Sequence, residues 1–305
     1  FLAALPTVRD LAEAPEEQLL KLWEGLGYYN RVRNLQKGAR AVMERFGGQI
    51  PASLEDLRSL PGIGDYTAGA IASIAFGIRR PAVDGNVLRV ISRLYAYGED
   101  ILEPTARRQI TGWVTEHIPS GTSYEEGPCA YTQALMELGA MVCVPKNPRC
   151  EKCPLKGDCR ALAEGVVKTL PIRKKQKAQK MISRYIALIE RKQPGSGRRE
   201  TLMHRRDEKG LLGGLWEYPG VDASSPEEMR QAFSKEWGLE IRPVGFLFET
   251  EHVFTHRHWK MQVYEALPEK EPPDSDRWCW ADVDRQAEMM IPTAFRKIQE
   301  YLAEP

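Results

Sequence analysis

Four cysteines lie close together near the middle of the chain, at Cys143, Cys150, Cys153 and Cys159, with the spacing C-x6-C-x2-C-x5-C. The residues between them are polar and rich in Pro and Lys, so we do not expect a core that buries these thiols. Soft thiolates at this density predict a metal centre, either zinc or a [4Fe–4S] cluster, and the spacing alone does not separate the two. The other two cysteines lie far apart in sequence, so a disulfide framework is not expected.

A second group of residues is a glycine turn between two predicted helices, 53–59 and 65–76. Gly62 and Gly64 let the backbone turn tightly and approach another surface closely. The free N–H groups at the start of the second helix are suited to bind phosphate. The pattern L-P-G-I-G-x-Y-T-A therefore predicts a helix-hairpin-helix that contacts the DNA backbone, which positions a protein without reading sequence. A plain helix connection is the alternative.

Asp84 stands immediately before a predicted helix at 86–95, in the segment V-D-G-N. Asp is a favoured N-cap residue, and this structural role explains its position without any function. The same helix terminus keeps a carboxylate ionised. An ionised carboxylate can stabilise a developing cation, so both roles stay open for Asp84.

The hairpin, the V-D-G-N segment and the cysteine loop, in this order, resemble the helix-hairpin-helix base-excision DNA glycosylases. The resemblance implies that the four cysteines hold a [4Fe–4S] cluster. In the endonuclease III branch a hairpin Lys forms a Schiff base with the sugar, but here Tyr66 stands at that place and cannot form an imine. The resemblance therefore implies a monofunctional enzyme in which Asp84 and Tyr66 are catalytic and Asn86 helps to bind DNA.

Residues 23–29 read W-E-G-L-G-Y-Y and resemble a stretch of the adenine DNA glycosylase (MutY) family, the best match, which covers nearly all of the chain. The family analogue of Tyr28 wedges into the duplex beside the damaged guanine. Core packing of Tyr28 and Tyr29 is the alternative, although the flanking glycines favour exposure. We expect Arg31 and Arg33 to reach phosphates or base edges.

Residues 210–220 resemble the start of a Nudix-type domain. A Nudix hydrolase needs several Glu side chains on the following helix, because Mg²⁺ prefers carboxylate oxygen. In this chain only Glu236 fits, while Ala232 and Lys235 occupy places where acids are expected. The sequence therefore predicts a recognition domain instead of a pyrophosphate hydrolase.

The resemblance implies that this domain reads 8-oxoguanine opposite adenine. The family's F-S-H loop is present as Phe254, Thr255 and His256. Thr keeps the hydroxyl of Ser and adds a methyl group, so the hydrogen bond can survive with altered geometry. A strand end with ordinary polar residues is the alternative.

The hydrophobic period changes from helical to strand-like after Ile182. We predict a mainly α helix-hairpin-helix glycosylase domain at 1–164 with a [4Fe–4S] cluster loop at 143–159, and a basic linker at 165–181. An α+β Nudix-like 8-oxoguanine recognition domain follows at 182–305.

Apolar spacing also predicts individual elements. Leu19, Leu22, Trp23 and Leu26 are predicted to share one helical face. Further helices are predicted at 105–117, 129–139, 226–237 and 293–302, and strands at 185–189, 200–204, 244–249 and 261–266.

The composition fits a folded protein, with 42% hydrophobic residues and a net charge of +1. No apolar stretch is long enough to span a bilayer and the first residues have no basic n-region, so we expect a cytoplasmic protein without a membrane partner. The family resemblance implies that the partner is double-stranded DNA with 8-oxoguanine:adenine or guanine:adenine mispairs, and we expect a monomer to bind it.

The expected reaction is hydrolysis of the N-glycosidic bond of a flipped adenine, which generally uses two carboxyl groups. Asp84 is one of them. The family's acidic Glu lies in a segment resembling E-x-M-L-Q-Q-T, which this sequence does not contain. We expect the N-terminal segment of the family to be lacking and this chain to be nearly inactive without it. Two alternatives stay open: an endonuclease III-like glycosylase/lyase, and a non-catalytic protein that binds DNA lesions.

Overall fold

The computed structural model describes residues 1–121, 123–174, 179–193, 195–272 and 275–303. The chain divides into two compact units. The first, here called the helical unit, comprises Leu5–Glu13 and Asn34–Gln176; the second, here called the sheet unit, comprises Phe1–Ala4, Ala14–Arg33 and Lys177–Pro305. Part of the predicted linker, residues 175–178, lies outside the described residues. The domain boundaries drawn from the sequence remain predictions.

Helices make up most of the chain before residue 165, as the sequence predicts. They are α1 Val8–Glu13, α2 Glu16–Leu22, α3 Asn30–Phe46, α4 Leu54–Arg58, α5 Asp65–Phe76, α6 Gly85–Leu94, α7 Pro104–His117, α8 Pro128–Glu137 and α9 Arg160–Ala163. A π-helical turn, Leu138–Val142, extends α8, and a 3₁₀ turn, Cys150–Lys152, lies in the cysteine loop.

Local side chains account for several helix ends. The Ser53 hydroxyl accepts a hydrogen bond from the Asp56 N–H (3.1 Å) at the start of α4, and α5 ends at Gly77, which has a left-handed conformation. The core between α6, α7 and α8 includes Leu88, Ile110 and Val114, each at most 1% exposed. This packing fixes α6, whose first turn carries the Asp84 N-cap.

The prediction of one helical face is wrong for Trp23 and Leu26, although Leu19 and Leu22 do lie in a helix. Helix α2 ends at Leu22, and Leu26 is 65% exposed. The reason is backbone conformation: Gly25 and Gly27 have φ of 82° and 66°, values that interrupt a right-handed helix. The W-E-G-L-G-Y-Y stretch is therefore a loop between α2 and α3.

The sheet unit contains one mixed sheet, one antiparallel sheet and several helices. Its strands are β1 Lys180–Leu188, β2 Glu190–Lys192, β3 Arg199–Arg205, β4 Trp216–Glu217, β5 Gly220–Asp222, β6 Ile241–Val253, β7 Arg257–Pro268 and β8 Trp278–Ala281. Its later helices are α10 Pro226–Trp237, α11 Val283–Glu288 and α12 Arg296–Ala303, the last preceded by a 3₁₀ turn, Thr293–Phe295.

One sheet has the order β5-β1-β7-β6, in which β1 runs parallel to β7 and the other pairs are antiparallel. In the other sheet, β3 pairs antiparallel with β2, β4 and β8. The structure confirms the α+β class, but β6 and β7 are much longer than the predicted strands, with 13 and 12 residues. Their long hairpin ends in the turn that contains residues 254–256.

Two buried clusters stabilise the sheet unit. One surrounds Trp259, Met261 and Phe295, and the other surrounds Phe233, Leu239 and Ile241. Among the described residues, no helix combines the length and the apolar composition needed to span a membrane.

Candidate functional site

The helical unit contains the predicted hairpin, formed by α4, a short turn and α5. Gly62 lies in the turn with φ of 80°, and Gly64 precedes the first residue of α5. The apolar side chains Leu57, Ala68 and Ala72, all fully buried, hold the two helices together. The turn therefore presents backbone N–H groups at the start of α5, which is the arrangement that can bind an anion.

Asp84 caps α6 and is partly exposed. Its Oδ1 accepts hydrogen bonds from the N–H groups of Asn86 and Val87, both at 2.8 Å, and its Oδ2 accepts one from the Asn86 side-chain amide at 3.0 Å. The N-cap role predicted for Asp84 is thus confirmed, and its functional role stays a prediction.

Tyr66 lies near Asp84 because α5 packs closely against the segment before α6. A Cβ atom placed on Gly69 would lie only 2.1 Å from the Pro81 carbonyl oxygen, so only glycine fits there. Burial, together with the negative charge of Asp84, raises the pKa of Tyr66. Its hydroxyl points to the Met136 sulfur at 4.0 Å. A neutral phenol therefore stands beside a carboxylate at a partly open surface.

Two arginines on α6 connect the Asp84 region to the cysteine loop. Arg89 donates to the Asn86 side-chain oxygen at 3.0 Å, to the Gly139 carbonyl at 2.7 Å and to the Cys143 carbonyl at 2.8 Å. Arg93 is 2% exposed, and its Nη1 lies 3.4 Å from the Cys143 sulfur. Neither arginine was predicted from the sequence, although their i, i+4 spacing places them on one helical face.

The four predicted cysteine ligands line one small cavity of about 30 Å³ together with Arg93. All of the cysteines have free thiols. Burial and the neighbouring thiols raise the pKa of Cys150, which indicates that the four sulfur groups lie near one another. Within the described ranges, no group of three or more His, Cys, Asp or Glu side chains is arranged to hold a single metal ion.

The sheet unit contains a separate cavity of about 650 Å³, here called the Tyr28 cavity. The predicted recognition residues Phe254, Thr255 and His256 line it, and so do Tyr28 from the loop before α3 and Arg31 from the first turn of α3. The structure thus brings together five predicted site residues that are separated by more than 220 positions in the sequence.

Tyr28 is held in an exposed position within this cavity. It is 64% exposed, with a positive φ of 49°. Its hydroxyl is 2.9 Å from the Thr255 hydroxyl, and the Arg31 guanidinium lies over its ring at 4.7 Å. Tyr29, in contrast, is buried. Of the two tyrosines, only Tyr28 offers an aromatic face to a ligand.

Arg33 does not point outward, contrary to the prediction from the sequence. Its Nε is 2.8 Å from a Glu16 carboxylate oxygen, and its Nη2 donates to the Gly213 carbonyl at 2.9 Å. Its side chain is only 17% exposed, and its contacts to Glu16 and to the loop at 210–213 all lie within the sheet unit. Arg33 therefore stabilises the wall of the Tyr28 cavity.

Local contacts also support the turn at 254–256. The Phe254 N–H donates to the Arg257 carbonyl at 2.8 Å, and the Gln179 side chain donates to the Phe254 carbonyl at 3.0 Å. His252 packs against the edge of the Phe254 ring, with centroids 4.6 Å apart, and burial lowers the pKa of His252. No short-range pattern in the sequence pointed to His252.

The helix that would carry a Nudix metal site is α10. Glu236 is exposed near its C-terminal end, and the neighbouring positions hold Ala232 and Lys235. Helix α10 also contains Glu227 and Glu228 in its first turn, but of the three compared positions only Glu236 has a carboxylate, and one carboxylate does not supply the several oxygen ligands that Mg²⁺ requires.

Two family models match the chain. The model of the HhH-GPD superfamily base excision DNA repair protein matches residues 1–116, and the NUDIX domain model matches residues 191–301. These matches and the observed elements give a helical HhH-GPD domain followed by a Nudix-fold domain.

Curated relatives carry the name adenine DNA glycosylase. The protein from Rattus norvegicus is 36% identical, over 96% of this chain and 65% of that protein. The Homo sapiens protein is 35% identical, over 96% and 62%, and the Schizosaccharomyces pombe protein is 27% identical, over 92% and 70%. The chain thus spans less than two thirds of the length of these mammalian relatives.

Proposed function

Because this chain is a homologue of the adenine DNA glycosylases, with an HhH-GPD domain and a NUDIX domain, we propose that it excises adenine mispaired with 8-oxoguanine or guanine. The reaction is hydrolysis of the N-glycosidic bond in double-stranded DNA. We place the enzyme in the cytoplasm with chromosomal DNA as its substrate. One observation carries the proposal: the Asp84 carboxylate is held by three hydrogen bonds next to the Tyr66 phenol and the hairpin.

The chemistry follows from the charge that develops on the sugar. As the bond to adenine breaks, positive charge builds at C1′, and a preorganised anion beside it stabilises the transition state. Asp84 supplies this anion, and the α6 N-terminus with its amide donors fixes the position of the carboxylate. Tyr66 stays protonated and orients Asp84 or the reacting sugar, while Asn86 helps to hold the DNA near the site.

DNA is held by the hairpin and read by the sheet unit. Gly62 and Gly64 let the turn approach a phosphate. Tyr28 and Arg31 contact the duplex beside the 8-oxoguanine or guanine that was paired with the excised adenine. The Tyr28 cavity, lined by Phe254, Thr255 and His256, takes 8-oxoguanine. Since phosphate contacts release counterions, binding weakens as salt rises.

A [4Fe–4S] cluster held by Cys143, Cys150, Cys153 and Cys159 completes the proposal. The residues fit such a group, because four thiols line one cavity beside the Arg93 guanidinium, which compensates the negative charge of thiolates. When bound, the cluster supplies a structural link that holds the cysteine loop against α6. Cys150→Ser is expected to lower iron and sulfide content and visible absorbance, whereas Cys279→Ser leaves them unchanged. Equal iron content in both variants contradicts this assignment.

The test of the main proposal is single-turnover release of adenine from 8-oxoguanine:adenine and guanine:adenine duplexes. The unmodified chain is expected to release adenine slowly, so the assay needs excess protein and long incubation, and Asp84→Asn should lower that rate by about 10²–10³ while the duplex still binds. Asp65→Asn is the matched control, since Asp65 also lies at a helix start but its side chain is 82% exposed and pairs with Arg58. Release at the same rate in both variants refutes the role of Asp84.

The same assay separates the alternatives. A bifunctional lyase forms an imine that borohydride traps on the DNA, and Tyr66 in the hairpin argues against this outcome. Tight binding of the 8-oxoguanine:adenine duplex without any release identifies the chain as a lesion-binding protein.

A further inference from the structure

The core of the sheet unit contains a group of charged side chains that the proposed reaction does not use. Glu217 on β4 is 1% exposed, and Arg184 on β1 and His204 on β3 are 8% and 4% exposed. Arg206, which follows β3, completes this group, here called the Glu217 cluster. Burying charges in a core is unfavourable unless they pair well, so such a cluster is expected to have well-placed partners and a specific structural role.

Glu217 anchors the other members of the cluster. Its Oε2 pairs with Arg184 Nη2 at 3.4 Å and with Arg206 Nη1, and its Oε1 lies 3.2 Å from His204 Nδ1. Although burial opposes ionisation, the hydrogen bond to His204 and the charges of the two arginines lower the pKa of Glu217. The carboxylate therefore helps to fix one buried guanidinium group, Arg184, which Asp222 and the Gly220 carbonyl also bind, and one partly buried group, Arg206.

Both guanidinium groups lie against the ring of Trp259. The distances from the guanidinium carbons to the ring centroid are 4.6 Å for Arg184 and 5.7 Å for Arg206. Trp259 is 2% exposed, and it packs edge-to-face against Phe254, with centroids 4.9 Å apart and planes at 71°. Trp259 thus lies in a chain of contacts that joins the Glu217 cluster to a residue of the Tyr28 cavity.

A second contact reaches the cavity wall. Arg206 Nε donates to the Leu211 carbonyl at 3.0 Å, and Leu211 also lines the Tyr28 cavity. Contacts between cations and ring faces and edge-to-face ring contacts both depend on orientation, unlike ordinary apolar packing. A ring that is fixed in this way has fewer positions available than a ring in a purely aliphatic core.

We propose that the Glu217 cluster and Trp259 position Phe254 in the Tyr28 cavity, and that they thereby set the preference for 8-oxoguanine over guanine opposite adenine. Trp259 and Arg184 are positioning residues, since they act through Phe254 and lie outside the cavity lining. This inference rests on the proposed function, which gives the cavity its ligand.

The experiment measures dissociation constants of the full chain for two duplexes that contain a non-cleavable adenine analogue opposite 8-oxoguanine or guanine. Arg184→Lys keeps the charge but loses the planar guanidinium group. Trp259→Phe keeps an aromatic ring but reduces its contact area with Arg184 and Phe254. Both variants should lower the preference for 8-oxoguanine by roughly twofold to tenfold. Affinity for the guanine duplex should change little.

Ile241→Ala is the matched control. Ile241 is fully buried and lies on β6, but it belongs to the other buried cluster of the sheet unit, at the far end of the strand from Phe254. This variant should lose stability and keep the preference for 8-oxoguanine. If Ile241→Ala reduces the preference as much as Arg184→Lys, general destabilisation explains the effect and the inference is wrong.

A spectroscopic measurement tests the inference without DNA. In protein labelled with fluorophenylalanine, the ¹⁹F resonance of Phe254, assigned with Phe254→Leu, should shift in Arg184→Lys and Trp259→Phe but not in Ile241→Ala. An unchanged resonance and an unchanged preference in the two positioning variants overturn the proposal. If the unmodified chain itself shows no preference between the duplexes, the proposed function of the cavity fails instead.

Discussion

The two units use buried and half-buried charges in opposite ways. In the helical unit, Asp84 interacts with amide donors at a helix start, and Arg89 and Arg93 interact mainly with backbone carbonyls. In the sheet unit, Glu217 pairs with Arg184 and Arg206 inside the core. One carboxylate is held at a partly open surface, and the other is enclosed.

This difference separates a carboxylate that is available for chemistry from one that stabilises a scaffold. Neutral donors hold Asp84 in place without neutralising a negative charge on it, which is what the proposed reaction requires. The guanidinium partners of Glu217 neutralise its charge, and no substrate can reach it. Substitutions in the two units should therefore differ in their effects on stability and activity. We expect the largest loss of stability at Glu217 and the smallest at Tyr28.

The largest effect is expected from Glu217→Gln. Removing the anion weakens the pairing of the buried Arg184, which keeps Asp222 and the Gly220 carbonyl, and of the partly exposed Arg206, and should destabilise the sheet unit by about 2–3 kcal/mol. Hydrogen exchange should show the loss in β1 and β3, with α5 to α8 unchanged. Glu251→Gln serves as the control, because that carboxylate is 63% exposed in its pair with His258 and should have an effect of at most about 1 kcal/mol.

Low pH should also lower the stability of the sheet unit. The pKa of Glu217 lies below its ordinary value of 4.5, so the folded state binds the proton more weakly than the unfolded chain. The stabilisation is therefore present above about pH 4.5 and is lost as the pH falls through the lower folded value. Denaturant melts of the chain and of Glu217→Gln at a series of pH values should converge in acid. Parallel pH dependence in the two proteins contradicts this assignment.

Gly69→Ala should give a smaller but local effect in the helical unit. The added methyl group would meet the Pro81 carbonyl, so α5 and the segment before Asp84 must separate, at about 1–3 kcal/mol. Adenine release should slow as well, because Tyr66 and Asp84 move apart. Gly112→Ala in α7 is the matched control: no atom lies within 4 Å of its added Cβ, and it should be neutral or slightly stabilising.

The smallest effect is expected from Tyr28→Phe, which removes the hydroxyl near Thr255 and keeps the aromatic face. The lost hydrogen bond is exposed, so stability should change by less than about 1 kcal/mol. We expect the preference between 8-oxoguanine and guanine to fall several-fold at unchanged binding of undamaged duplex. Thr255→Val should have the same effect, and the double variant should add little, since both remove one contact.

Local signals made the helical unit more predictable than the sheet unit. The periodicity, the glycine turn and the Asp cap lie within short windows, and α5 spans the predicted residues 65–76. The strand lengths and the pairing of β1 with β7 depend on partners about 77 residues away, as in Lys180 with Arg257, and no short window contains that information.

The errors have the same physical origin. Leu26 fits a helical face by spacing, but α2 ends at Leu22, and the positive φ of Gly25 and Gly27 on either side keeps Leu26 out of a helix. Arg33 looks like a phosphate ligand because it follows Arg31, yet Glu16 and the Gly213 carbonyl bind it within the sheet unit. The Glu217 cluster could not be foreseen, because its members come from three strands and a loop.

Residue types that can do chemistry were recognisable from the amino-acid order, namely the four clustered thiols, the glycine turn and an aspartate at a helix start, because each depends only on near neighbours. Which side chains share a cavity, which charges are buried and which tyrosine is exposed became clear only in the folded chain. Those properties depend on contacts between distant segments, such as Tyr28 with Thr255 and Trp259 with Arg184. Hydrophobic burial and close packing select such contacts only once the whole chain has folded.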